Sequence, residues 1–156
     1  IAWRYSASKH PVPGSARPAA GQPSQSGRPC ELIAPTSQSM APIPRFVACN
    51  TALQVGLDGS VNIERVGGRV VTGIGGHADF CAGASRSPGG LAVIALRSTT
   101  TDGDSTIVDR VDLVSTQRSD VDVVVTEHGI ADLRDATESE RAERLRAIAA
   151  SARLGR

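Results

Sequence analysis

From Phe46 onward the chain alternates short apolar runs with turns marked by glycine, aspartate and proline; before it neither a two-residue nor a helical period is visible. Phe46-Val-Ala-Cys49 is an apolar run closed by Asn50 and predicts a buried strand. Leu53–Leu57 and Val61–Val66 flank Asp58-Gly59, a strong short-range hairpin signal. Val70 and Val71 lead into Gly73-Ile-Gly-Gly76, and Ala78–Ala84 suits a helix. After a turn at Ser87-Pro-Gly-Gly90, Leu91–Leu96 is apolar throughout, as a central strand covered on both faces would be. Thr101-Asp-Gly-Asp104 marks another turn, ahead of Ser105–Val108. Val121–Thr126 predicts a second central strand with Glu127 at its carboxyl end, and Ile130–Arg134 reads as a short turn. Thr137, with Glu140 three residues on, forms a capping-box signature. Ala142, Leu145, Ile148 and Ala149 then make one stripe of a helix running to about Ala150. The pattern predicts an α/β fold, a mixed sheet with flanking helices and no internal repeat.

Composition divides the chain in two. Eight of its nine prolines lie between Pro11 and Pro44, and residues 1–45 carry a net charge of +4 against −3 for the remainder. A leader over 1–43 and a domain over 44–156 follow. The leader cannot bury enough apolar surface to offset its ordering entropy, so disorder or loose attachment is expected up to about residue 40. Its other reading is a basic arm for anionic partners, but five charges in 45 residues make no patch. Aromatics are only 3% of the 156 residues, so the core must be aliphatic. The net charge of +1 argues against nucleic acid, and no apolar run reaches the roughly 20 residues that span a bilayer. The first residues, Ile1-Ala-Trp-Arg-Tyr5, do not read as a signal peptide. Three irregularly spaced cysteines, Cys30, Cys49 and Cys81, fit free thiols in a reducing, cytoplasmic setting.

Three places could carry chemistry. Gly73-Ile-Gly-Gly76 lets backbone approach a ligand, and amides at a helix start can hold an anion; a purely structural turn is the plainer reading. The third glycine of a dinucleotide fingerprint would fall at Ala78. His77-Ala-Asp79-Phe-Cys81 counts three metal-ligand types, but on a helix Asp79 points away from the other two, so no metal is expected. Thr126-Glu127-His128-Gly129 lies at a strand's carboxyl end, where open α/β sheets hold ligands. Its plainer reading is a carboxylate capping the following turn, with Asp132 and Arg134 as a local ion pair. No serine-histidine-aspartate order or nucleophile elbow is present.

These motifs carry a family resemblance. Asn50-Thr-Ala-Leu-Gln-Val-Gly-Leu-Asp-Gly-Ser-Val-Asn62 resembles the N-S/T-A-L-E-V-D-L-x-G-x-V-N segment of the acetyl-CoA hydrolase/transferase family. Gly73–Phe80 is similar to its G-V/I-G-G-x-x-D-F, and Val124–Arg134 to its V-V-T-E-Y/H-G-V-A-D-L-R. The resemblance covers about residues 44–150. It implies the CoA-transferase-like C-terminal domain, acting on acyl-CoA and a small carboxylate such as acetate, with coenzyme A as substrate and no metal. In that family a glutamate attacks the thioester, an anhydride forms, and CoA then gives a glutamyl-CoA thioester. That glutamate lies before the asparagine motif. Here Glu31 alone precedes Asn50 and does not match, so the resemblance leaves the nucleophile outside this chain and the chain alone inactive.

By the same resemblance Gly76 is the CoA-contacting glycine, its amide helping to form an oxyanion hole with Gly75 beside it. Thr72 would line the thiol end of CoA, and Asn50 and Glu127 would form a polar pair shaping the carboxylate pocket. If the strands before Asn50 and Glu127 are parallel neighbours, both side chains emerge at one carboxyl edge with the glycine turn. Three departures stand out: Ser98-Thr-Thr-Thr-Asp-Gly103 lacks the family's lysine, Asp135 replaces a glycine, and Ser151–Arg156 replaces a proline-containing tail. A missing N-terminal catalytic domain and a second copy are the protein partners left open. The rival readings are a non-catalytic remnant or interaction protein derived from that domain, and an anion-binding module built on the glycine turn.

Overall fold

The computed structural model describes residues 35–150. In chain order its helices are α1 (Ser37–Met40), α2 (His77–Arg86) and α3 (Glu138–Ala147), with a 3-10 turn at Arg118–Asp120. Its strands are β1 (Val47–Asn50), β2 (Gln54–Gly56), β3 (Val61–Asn62), β4 (Arg65–Val66), β5 (Arg69–Val70), β6 (Leu91–Ala95), β7 (Ile107–Val108), β8 (Val123–Thr126) and β9 (Gly129–Asp132).

The main sheet has the order β1-β6-β8-β9; the first three strands are parallel and β9 is antiparallel. The mixed α/β sheet expected from the pattern is therefore present. β2 pairs antiparallel with β3 and parallel with β7 in a smaller sheet, and β4 with β5 forms a third. The Asp58-Gly59 hairpin closes as expected: Gly59 takes φ +91°, and the Asp58 carboxylate accepts from the Ser60 amide at 2.9 Å and its hydroxyl at 2.6 Å.

α2 forms because His77, Cys81 and Ala84 share one face and are buried against the sheet. Its last turn carries Arg86, which donates to the Ala82 carbonyl and pairs with Asp120 at 3.1 Å. β6 can begin close against this helix because residue 90 is glycine. A Cβ there would stand 2.3 Å from the Ala84 carbonyl oxygen and 2.7 Å from that of Phe46. α3 carries the predicted capping box between Thr137 and Glu140 and buries Leu145. It ends at Ala147, and the buried Ile148 follows as its cap. The core is aliphatic, with Val55, Val61, Ile94, Val124, Leu133 and Leu145 all at 0% exposure. Each such side chain contributes roughly 1.5–3 kcal/mol relative to exposure.

Three expectations need correction. Val61–Val66 is not one strand, because the buried Asn62 accepts the Glu64 and Arg65 amides through Oδ1 and turns the chain. Gly67 and Gly68, both at positive φ, then form a two-residue turn that pairs Arg65 with Val70. Ile130–Arg134 is not a turn: Gly129–Asp132 is the strand β9, joined to β8 by Glu127-His128 alone. Finally, β6 is fully buried on one face only. Ala92 and Ile94 are fully buried, whereas Leu91, Val93 and Ala95 are half-buried. α1 falls within the stretch read as leader, yet its Met40 is 4% exposed and packs on Gly83. Residues 1–34, including Cys30 and Glu31, lie outside the described residues.

Candidate functional site

Asn50 ends β1, level with Ile94 of β6, which is level with Val124 of β8. Glu127 follows β8. The two strands are parallel and share a carboxyl edge, but β6 separates them, so they are not neighbours. Two strand spacings amount to about 10 Å. The two side chains accordingly have different partners.

Asn50 donates through Nδ2 to the Cys81 sulfur at 3.4 Å. Cys81 is fully buried and its thiol is pushed up to about 11, burial outweighing the Asn50 hydrogen bond. His77, one turn earlier, places Nε2 3.1 Å from the Thr51 carbonyl and Nδ1 2.8 Å from the Thr116 hydroxyl. A carbonyl only accepts, so Nε2 carries the proton and Nδ1 accepts from Thr116. Burial holds the imidazole below its ordinary value, in keeping with a neutral ring. Asp79 faces elsewhere and accepts the Ser37 amide at 3.2 Å. The three candidate ligands thus split as the helical spacing predicts. His77 and Cys81 clamp the Asn50–Thr51 segment to α2, while Asp79 anchors α1.

Gly76 is the N-cap of α2, and no side chain caps that end. The His77 amide donates to the Ile74 carbonyl at 3.2 Å, and the Ala78 and Asp79 amides follow an exposed turn over residues 71–76. Gly75 adopts φ +52° with open space around it. At Gly76 a Cβ would stand 3.1 Å from the Phe80 ring. Thr72 is exposed on the same turn, its hydroxyl 3.5 Å from the Gly73 carbonyl.

Glu127 is exposed, but its carboxylate is held. The Ser98 amide donates to Oε2 and the Ser98 hydroxyl to Oε1, both at 2.8 Å. The Ser98 amide, the residue's own amide and the Ser98 hydroxyl together lower this carboxyl to about 2. Glu127 does not cap the turn after it; the His128 amide goes to the Thr126 hydroxyl instead. Asp132 and Arg134 do form the expected local pair, with Nε at 2.9 Å from Oδ1, and this lowers Asp132 to about 2.

A groove of about 420 Å³ opens at the carboxyl edge, lined by Thr51, Ala95, Leu96, Arg97, Val125, Thr126 and Glu127. It brings Glu127 together with Thr51, the neighbour of Asn50. Asn50 and Gly76 do not line it. Sequence reasoning missed Ser98 and Arg97 as parts of this edge. The signal was available: both follow the apolar run Leu91–Leu96, where a parallel strand delivers its next residues to the ligand-binding edge. The arrangement combines a fixed anion, aliphatic walls and the guanidinium-bearing Arg97. Among the described residues no group of three or more His, Cys, Asp or Glu could hold a metal ion, and no helix is long and apolar enough to cross a membrane.

Over 108 residues the chain is 41% identical to the 4-hydroxybutyrate coenzyme A transferase of Clostridium kluyveri, covering 67% of this chain and 25% of that enzyme. It is 39% identical over 102 residues to the acetyl-CoA hydrolase of Kluyveromyces lactis, covering 64% and 19%. Among solved structures it resembles RipA from Yersinia pestis, with a TM-score of 0.67 and 36% identity over 74% of this chain and 27% of that one. A 4-hydroxybutyrate CoA-transferase from Porphyromonas gingivalis gives a TM-score of 0.59 and 37% identity over 74% and 26%. The chain therefore spans about a quarter of the length of the proteins it matches. Residues 23–153 match the model of the acetyl-CoA hydrolase/transferase C-terminal domain, and the chain belongs to that family.

Proposed function

We propose that this domain supplies the CoA- and carboxylate-facing wall of an enzyme that moves CoA between an acyl-CoA and a small carboxylate. The observation that carries the reading is Glu127, kept ionised by Ser98 at the mouth of an apolar groove on the carboxyl edge of three parallel strands. The relatives' names, transferases for 4-hydroxybutyrate and a hydrolase for acetyl-CoA, supply the substrate class.

In the proposed sequence a glutamate from outside the described residues attacks the acyl carbonyl, giving an acyl-glutamyl anhydride and CoA thiolate. The thiolate then attacks the glutamyl carbonyl, releasing the carboxylate and leaving a glutamyl-CoA thioester. An incoming carboxylate reverses both steps, so bonds and charge balance. The amides at the start of α2, by Gly75 and Gly76, suit the oxyanion of each tetrahedral intermediate, and Thr72 suits the thiol end of CoA. Glu127 shapes the carboxylate pocket from within the groove, and Asn50, bonded to Cys81, acts from outside it by holding the neighbouring Thr51 at the groove wall. The negative charge of Glu127 keeps a free carboxylate from settling at its own edge of the groove and steers it toward Arg97.

The test uses an intact family enzyme, the Clostridium kluyveri relative, with the glutamate matching Glu127 changed to glutamine. Unaltered thermal unfolding with reduced turnover supports the reading. Unchanged kinetics leaves that residue a structural role only. This chain alone, assayed with acetyl-CoA and succinate or butyrate, is expected to show no turnover; activity that persists in Glu31→Ala would place the nucleophile within the described residues.

A further inference from the structure

The strands of the main sheet show two unequal faces. On one, Ala48, Ala92, Ile94, Val124 and Ala131 are buried, with α2 packed on β1 and β6. α3 lies on the same side, since the Ile148 carbonyl accepts the Thr126 hydroxyl at 2.7 Å. The register places Val47, Cys49, Val93, Ala95, Val125 and Ile130 together on the other, along with Val123, itself buried, and Asp132 on the outer strand β9. That face holds no charge across its first three strands, yet Val47 is 56% and Ile130 71% exposed and Cys49 is exposed. No described helix covers it.

Parallel strands occur almost only where both faces are covered, because their side chains are apolar on both. β1 adds a second open feature. It is the edge strand of the sheet, and its four residues include no charge or proline that would blunt the edge. Ala95 and Val125, both half-buried, belong to this face and also line the candidate groove. Whatever covers the face therefore forms the groove's missing wall.

We infer that this face is the seat of an apolar layer from the polypeptide that family enzymes carry outside this domain, and that its docking closes the groove. The inference rests on the reading above that the domain works within a longer enzyme. The occupant is argued from length: the match covers only about a quarter of the relatives, leaving most of each enzyme available to supply a layer. Residues 1–34 of this chain carry five prolines and no apolar period, so their sequence does not supply one. A second copy stacked face to face would seal each groove with the other's Ala95 and Val125, and is the competing occupant.

Thiol alkylation by a maleimide reads the face directly. In this chain, with Cys30→Ser, Cys49 is expected to react at the rate of an exposed thiol, independently of protein concentration and of deletion of residues 1–34. In the intact Clostridium kluyveri relative, a cysteine placed at the position matching Val47 is expected to react at least about tenfold more slowly, since it must await local opening. Equal rates in the two proteins overturn the inference. So does protection of Cys49 that grows with concentration, which identifies a second copy, or faster reaction after deleting residues 1–34, which identifies the leader. A second probe at the position matching Ile130 guards against one misfolded variant. Because alkylation is independent of turnover, loss of activity in the glutamine variant and exposure of this face are separate results.

Discussion

Ser98 grips Glu127 with both its amide and its hydroxyl, each 2.8 Å from a different carboxylate oxygen. The contact spans 29 residues and ties the loop after β6 to the turn after β8. Ser98→Ala removes the hydroxyl and keeps the amide, which is the larger cause of the lowered value. The Glu127 titration midpoint, read by carboxyl carbon NMR, is expected to rise from about 2 part of the way to 4.5. Because the folded value lies below the unfolded one, this contact supports the fold above pH 4.5 and is lost as pH falls toward 2. A midpoint already near 4.5 in the unmodified chain would refute the contact.

His77 predicts a pH dependence of opposite origin. Its ring is held neutral by burial between Thr51 and Thr116, so its folded value lies below 6.5. The unfolded chain binds the proton first as pH drops, and stability falls from pH 6.5 downward through the folded value. His77→Gln can keep a donor for the Thr51 carbonyl without titrating. The loss of stability between pH 7 and pH 5, measured by urea unfolding, is expected to be smaller in this variant than in the parent chain.

Two glycines should respond oppositely to alanine. Gly90→Ala drives a Cβ into the Ala84 and Phe46 carbonyls, and overpacking of this kind costs about 1–3 kcal/mol. Gly73→Ala meets nothing within 4 Å, and its φ lies outside the left-handed region, so it should stay within about 0.5 kcal/mol of the parent. Thermal denaturation of both variants checks the contrast. Equal losses would mean that the residue 73 turn is more constrained than its surroundings.

Asp135, which the family resemblance sets against a glycine, adopts φ +53°. A side chain in this left-handed region costs roughly 1–2 kcal/mol, least for aspartate and asparagine. Asp135→Gly is expected to raise stability by up to about 1 kcal/mol, whereas Asp135→Val lowers it. An increase in the valine variant would show that the turn after Arg134 adopts another conformation.

The local text of the chain determined most of the elements. Alternation and apolar runs located β1, β6 and β8, Asp58-Gly59 placed the first hairpin, and Thr137 with Glu140 started α3, because caps and turns are settled by residues three or four apart. The helical spacing of His77, Asp79 and Cys81 also told which two share a face. The tertiary structure decided what distance along the chain conceals. Asn62 turns the backbone through a side chain that also reaches Gln54, eight residues away, so Val61–Val66 could not be split by its own pattern. β9 reads as a turn until β8 offers it a partner. The pairing of Ser98 with Glu127 and the placing of β6 between β1 and β8 depend on strand order, which no local period encodes. The apolar run Leu91–Leu96 announced a strand buried on both faces; only the assembled sheet shows that the described residues bury one, leaving the other face of β6 as apolar as its sequence and without a layer of its own.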